Sequence, residues 1–255
     1  GKIGGPSKRL VFGMLRRGFS NTVLLSQKNL SGNLNQPAAH VISIPASDRV
    51  IVDDVTGFSA PDTIILIQMQ GVGIITPTIG YGYIQSIFGQ PGLHEFMIIQ
   101  SVNGGTNEIV FRNNLISTYD PKGSIQIVRV PYYNNATVTG KLFCNPWNSD
   151  TKKGGVLALV IGRTLTLNAD IDVSKCGFIG GKDTIGTGRC TVVDPTTFLD
   201  YYARTFTNAG FKGEGIAIHD DFGTLLAPLH MKGQGPNFTS GGGGNGRFSG
   251  GGGGS

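Results

Sequence analysis

Charge is scarce in this 255-residue chain, with Asp, Glu, Lys and Arg making up only 15% of it, well under the usual quarter of a soluble domain. No apolar run reaches the length of about eighteen residues that a membrane-crossing helix needs, which excludes a helical span. Cysteine is limited to Cys144, Cys176 and Cys190, and none belongs to a C-x-x-C pair, which argues against structural zinc. The sequence has no G-x-S-x-G elbow, no Walker loop and no H-E-x-x-H pattern. Gly71-x-Gly73 falls short of a dinucleotide fingerprint, because Thr76 stands where a third glycine is needed. The four histidines are His40, His94, His219 and His230. Only His219-Asp220-Asp221 gathers acids around one of them, and such a trio usually forms a solvated turn. The reading is a non-enzymatic protein with no cofactor and no metal.

Acid is missing altogether before Asp48, while Lys2, Lys8, Arg9, Arg16, Arg17 and Lys28 give that stretch a charge of +6 out of a chain total of +5. Residues 1–40 also lack a hydrophobic period and are read as an extended basic arm. A basic arm can neutralise phosphates, but no nucleic-acid-binding motif follows it, so nucleic acid is not expected as a partner. An arm lying on a neighbouring copy, as in a self-assembling filament, is the alternative use.

What the sequence has in abundance is glycine, 41 residues of it, with many Thr, Ile, Val and Asn. β-Branched residues suit a pleated surface, and Gly and Asn suit turns. The fold class is all-β. From 41 to 153 short apolar runs recur: Val41 to Ile44, Val50 to Val55, Thr63 to Met69, Tyr83 to Phe88, Phe96 to Val102, Glu108 to Phe111 and Ile125 to Val130. The run TIILIQM is apolar on both faces, as a strand covered on both sides would be. Asn103-Gly104-Gly105-Thr106 has hairpin chemistry, and Asp120-Pro121-Lys122-Gly123 that of a β-turn. This spacing predicts a β-sandwich-like domain over 41–153.

From 154 the pattern changes. Gly154-Gly155 opens the apolar run Val156 to Ile161, and TLTLNADIDV (164–173) then alternates strictly, with Leu165, Leu167, Ala169, Ile171 and Val173 on one face. The stretch 154–232 is read as β-solenoid-like rungs, or as a second β domain. Asp194-Pro195 has the chemistry of a helix start. Residues 233–255 hold 12 glycines in 23 positions and are expected to pack as extended backbone and to continue beyond the chain.

Few side chains offer chemistry. Tyr81, Tyr83, Tyr132 and Tyr133 are candidate ligand-contact aromatics able to stack on sugar rings, although packing in the core or at an edge of a sandwich is the commoner role for such residues. Asp170 and Asp172 share a face and could reach calcium, but solvent-facing strand carboxylates are the commoner case. Trp147 is read as a core anchor. In an oxidising compartment Cys176 and Cys190 could form a disulfide that closes a short loop and leaves Cys144 unpaired; the alternative is three buried thiols.

Five strings occur in one order: APDTIILIQMQGVGI (60–74), VRVPYYNNATVTGKLFCNPW (128–147), GGVLALVIGRTLTLNADIDVSKCGFIGG (154–181), KGEGIA (212–217) and GGGGNGRFSGGGGGS (241–255). Over residues 41–255 the chain thereby resembles a glycine-rich region of large adhesin-like surface proteins of gliding Bacteroidota, exported by the type IX secretion system. The resemblance implies an extracellular location on the bacterial cell surface. It implies a role in attachment and motility, and as partners other segments of the same surface protein, neighbouring copies, the secretion machinery during export, and outside surfaces or glycans. It carries over no functional residue. Cys176 departs from the small or polar residue usual there, and Asp183-Thr184-Ile185 resembles the O-glycosylation signal of that phylum. An ancillary carbohydrate-binding domain of a secreted polysaccharide-degrading protein is the alternative function.

Overall fold

The computed structural model describes residues 28–74, 84–185, 210–221, 224–226 and 248–249. Among them the regular elements are strands, apart from one 3-10 turn at Pro121–Gly123, so the protein is all-β. In chain order the strands are β1 (Lys28–Asn33), β2 (Ala38–Ala46), β3 (Arg49–Val52), β4 (Thr63–Gln68), β5 (Val72–Ile74), β6 (Ile84–Ile87), β7 (His94–Asn103) and β8 (Glu108–Phe111). They continue with β9 (Ile125–Arg129), β10 (Tyr132–Phe143), β11 (Val160–Leu167), β12 (Thr184–Ile185), β13 (Ala217–Asp221), β14 (Thr224–Leu226) and β15 (Phe248–Ser249).

Six strands close into a barrel in the order β2-β3-β8-β7-β4-β9, every pair of neighbours antiparallel. The sandwich-like layers expected over 41–153 are thus joined into one ring. The long strands do the joining by changing partner halfway. Ala38–His40 of β2 pairs with β9, and its later part from Val41 pairs with β3. His94–Ile98 of β7 pairs with β4, and from Ile99 on it pairs with β8. Closure leaves these six strands no free edge. Period-two alternation then fills the inside: Ala39 and Val41, Val50 and Val52, Ile64 and Leu66, Met97 and Ile99, Ile109 and Phe111, and Ile125 and Ile127 all point to one core.

The expected turns are present. Asn103 Oδ1 accepts a hydrogen bond from the Gly105 amide at 3.0 Å in the β7–β8 hairpin. Asp120 Oδ1 accepts one from the Lys122 amide at 3.0 Å, capping the 3-10 turn that Pro121 opens.

At Pro131 the architecture changes. β1, β10 and β11 form a parallel three-stranded stack, in which Leu30 stands beside Val138 and Val138 beside Leu167. A parallel bridge from Leu142 to Ile171 extends it. Parallel, rung-like stacking was expected only after 153, but β10 already belongs to it. So does Lys28–Asn33 of the segment read as an arm, with Leu30 buried in the stack's core. Its end, Ala38–His40, belongs to barrel strand β2, so residues 28–40 are built into the fold and are no free arm; residues 1–27 lie outside the described residues.

Between barrel and stack runs the extended segment 154–159. Val156, Ala158 and Val160 pack on Ile65, Val128 and Val130, which point outward from the barrel wall. Leu157, Leu159 and Ile161, one residue out of phase, pack on Leu30, Tyr133, Ala136, Val138 and Leu142 of the stack. This is why β4 is apolar on both faces: Ile64 and Leu66 face the barrel interior, and Ile65 faces the seam. A further sheet, β14-β13-β5-β6, has a small core of Val72, Ile74 and Ala217, and β12 pairs with β15. The helix start at Asp194 and all of 233–255 except Phe248–Ser249 lie outside the described residues.

Candidate functional site

The most built feature of the molecule is a polar clamp along the seam. Segment 154–159 has no strand beside it at first, so its backbone groups need other partners. Side-chain amides supply them. Gln126 Nε2 donates to the Gly154 carbonyl at 2.8 Å, and its Oε1 accepts from the Gly154 amide at 2.9 Å. Asn35 Nδ2 donates to the carbonyls of Ala158, at 2.6 Å, and of Arg129, at 3.0 Å, while its Oδ1 accepts from the Ala158 amide at 2.9 Å. Each amide thus imitates the edge of a strand. Both are buried, where an unsatisfied backbone group costs about 1–3 kcal/mol. Gly154 makes the turn into the clamp at a φ of +105°, and a Cβ there would strike the Pro146 carbonyl oxygen.

The same device recurs at the barrel's end. Gln68 Nε2 donates to the carbonyls of Gln70, at 2.8 Å, and Phe88, at 2.7 Å. Gln70 Nε2 donates to the Gly215 carbonyl at 2.9 Å, and its Oε1 accepts from the Ser124 hydroxyl at 2.7 Å. Glu214 takes the Ile179 amide on Oε2 at 3.0 Å, and burial pushes its carboxyl above the usual range. These residues were not singled out in the sequence. Their signal was a glutamine inside a run that is otherwise apolar: TIILIQ in β4 and IQIV in β9.

A groove of about 250 Å³ lies over the clamp, lined by Asn33, Gln36, Asn145, Asn148, Thr151 and Lys153 among others. That is below the usual range of about 300–1,000 Å³ for a ligand pocket. Several of its polar groups already hold each other. Asn33 Nδ2 donates to Asn145 Oδ1 at 3.0 Å, Asn148 Oδ1 accepts from the Asp150 and Thr151 amides, and Lys153 Nζ donates to Asp53 Oδ2 at 2.7 Å. His40 stands nearby, its backbone amide donating to Asp53 Oδ1. Burial first, then the Lys152 charge, lower its pKa to about 4 against the pull of Asp53. It is therefore a neutral imidazole at neutral pH.

The residues proposed from sequence are scattered. Tyr133 is a core residue of the stack, only 8% exposed, with its hydroxyl pKa raised by burial, and is corrected from a ligand platform to a packing residue. Tyr132 is half-buried, and a Cβ at Gly162 would meet its hydroxyl, so the tyrosine lies flat along β11. Tyr81 and Tyr83 lie outside the described residues. Asp172 is engaged by Lys141 at 2.6 Å and by the Ser174 amide at 2.9 Å, and the lysine's hydrogen bond holds its carboxyl well below the usual range. Among the described residues no cluster of three metal-ligating side chains occurs. His219, Asp220 and Asp221 belong to strand β13, paired with β14, and not to an open turn. Trp147 is a buried anchor, edge-on to Phe178 with ring centres 5.6 Å apart. Cys176 sits against Cys144, its thiol donating to the Cys144 carbonyl at 3.4 Å; Cys190, the other half of the expected Cys176–Cys190 pair, lies outside the described residues.

The positive feature left over is apolar. β11 is the outer strand of the stack among the described strands, and its inward stripe runs past the core it should cover. Leu165 and Ala169 are packed, but Leu167 is 59%, Ile171 38% and Val173 43% exposed.

Comparison with known proteins adds little to this geometry. No protein-family model matches the chain, and no curated protein matches it. Among solved structures, the tailspike protein gp49 from Pseudomonas phage LKA1 is similar over 56% of this chain and 23% of its own, at 16% identity and a TM-score of 0.27.

Proposed function

We propose that the chain is a non-enzymatic module of a cell-surface adhesin or surface filament, displayed outside a gliding bacterium and serving attachment. One observation carries the reading: a parallel stack whose outer strand has no partner beyond it among the described strands and carries an exposed apolar stripe at Leu167, Ile171 and Val173. Parallel rungs add strands in one direction, each covering the stripe of the last. The occupant of that edge in this proposal is a further rung from the same surface protein; a neighbouring copy of the chain is the alternative that the test distinguishes. The seam supports the reading as well, because its buried amides are spent on the chain's own backbone and hold the stack rigidly to the barrel. The carbohydrate-binding alternative loses Tyr133 as a platform and rests on Tyr132 and the undescribed Tyr81 and Tyr83.

The test is an in-frame deletion of residues 41–255 in the producing cell, with display of the remaining protein confirmed. Attachment to glass and cell movement are scored. Loss of attachment with display intact is expected, and unchanged attachment would reduce the segment to a spacer. Leu167→Lys in the isolated chain separates the two occupants: a concentration-dependent dimer abolished by the substitution points to a neighbouring copy.

A further inference from the structure

We infer that Cys144 and Cys176 are a matched thiol pair that closes into a disulfide linking the end of β10 to the loop after β11. The inference rests on geometry and does not depend on the function proposed above. Cys144 directly follows β10, and Cys176 lies at the same end of the next rung. Backbone bonds fix the two stretches together on both sides of the pair. Leu142 donates to the Asp170 carbonyl and accepts from the Asp172 amide, each at 2.9 Å, and Trp147 donates to the Cys176 carbonyl at 2.9 Å. The Leu142–Ile171 bridge sets the two stretches that carry the cysteines side by side, and a disulfide spans a Cα separation of about 4.4–6.8 Å. The Cys176 thiol lies 3.4 Å from the Cys144 carbonyl oxygen, which sets it against the Cys144 backbone.

The reaction needs an oxidant, and a small disulfide such as oxidised glutathione supplies it. One cysteine thiolate attacks the glutathione disulfide, breaking its S–S bond and releasing one glutathione thiol. The second cysteine thiolate then attacks the mixed disulfide and releases the other. One S–S bond forms and one breaks. The cysteines lose two electrons and two protons, which end on two glutathione thiols.

Timing follows from burial. Both cysteines are buried, and burial, then the neighbouring thiol, push Cys144 up to about 12. The folded Cys144 therefore holds almost no thiolate. The bond forms while the chain is folding and is afterwards shielded from reductant.

The full chain is reduced, unfolded, and refolded in a mixture of reduced and oxidised glutathione, then alkylated and digested without reductant. The expected product is a peptide joining Cys144 to Cys176, lighter by two hydrogens than the two free peptides. It forms equally in the Cys190→Ser chain, and it survives added reductant until denaturant is present. A Cys176–Cys190 or Cys144–Cys190 peptide in its place overturns the inference. So does full alkylation of Cys144 and Cys176 after refolding, in either chain.

Discussion

The barrel and the parallel stack bury similar residues but stand on different footing. The barrel pairs each of its six strands on both sides and keeps the alternate residues of all six in one core. Among the described residues the stack has three strands and two edges, and it draws half of its cover from segment 154–161, which itself leans on the barrel wall. An antiparallel ring closes on itself and leaves no edge; a parallel stack needs crossover connections and something beyond each edge. The barrel is therefore the self-sufficient part. The stack is the part that depends on a neighbour, first through the seam and then at β11.

The largest effect is expected from the barrel core. Leu66→Ala removes a fully buried side chain facing that core and is expected to lower the stability of the whole chain by about 3 kcal/mol. Denaturant unfolding should show one shifted transition, with loss of amide protection in barrel and stack together. Leu142→Ala, equally buried but in the stack, should instead loosen β1, β10 and β11 while barrel amides keep their protection. If Leu142→Ala exposes the barrel amides as much as Leu66→Ala does, the two regions are one cooperative unit and the comparison fails.

The seam comes next. Asn35→Ala strips three hydrogen bonds, and leaves the amide and carbonyl of Ala158 without a side-chain partner. A loss of about 2–3 kcal/mol is expected, with faster hydrogen exchange at Ala158 and through the stack and little change in the barrel. Exchange rates unaltered at Ala158 would mean that apolar packing alone holds the segment down.

How much of this could be read beforehand follows the same division. The barrel strands were legible because each carries its own local pattern; β4, β8 and β9 stand within a residue or two of the apolar runs seen in sequence. Ring closure was not, since the pairing of Ala38–His40 with Gln126–Val128 joins residues far apart in the chain and leaves no local trace. The strict alternation of TLTLNADIDV marked only the second half of β11, which starts at Val160 and runs through Gly162, and the regular strand stops at Leu167 and resumes only as a bridge at Ile171. Alternation fixes which residues share a face, not how far the partner strand extends. Asn35 and Gln126 were missed because a buried amide reads as ordinary surface polarity until its backbone partner is known. Tyr133 kept a ligand-contact role beside the commoner packing one, because an aromatic beside a turn-like Pro131 gives no sign of which side the sheet will cover; it packs in the stack core.

A smaller effect comes from His40, which belongs to the barrel yet faces the loop that enters the seam. Its neighbours are Asp53, paired with Lys153, and Lys152. Its folded pKa of about 4 lies below the unfolded value of 6.5, so the unfolded chain binds a proton first as pH falls. Stability is then full above the unfolded value and declines between about pH 6.5 and 4. The side chain is only partly buried, and this discounts the loss to about 1–2 kcal/mol. His40→Gln should flatten the pH profile of the unfolding midpoint in that window. An unchanged slope would show that His40 titrates in the fold as it does in the unfolded chain.

The smallest effect separates charge from packing inside the stack. Lys141 and Asp172 join β10 to the chain after β11 at 2.6 Å, the shortest ion pair found among the described residues. Both side chains are open to water, 57% and 36% exposed, and such pairs are screened by salt and contribute little. Asp172 also keeps the Ser174 amide on its other oxygen when the lysine is gone. Lys141→Ala is therefore expected to leave the unfolding midpoint of the stack unchanged at moderate salt, where Leu142→Ala one residue away shifts it clearly. If Lys141→Ala loosened the stack as much as its neighbour does, the rungs would be held by charge across their edges. The apolar stripe left open at Leu167, Ile171 and Val173 would then lose its standing as the surface on which the next rung depends.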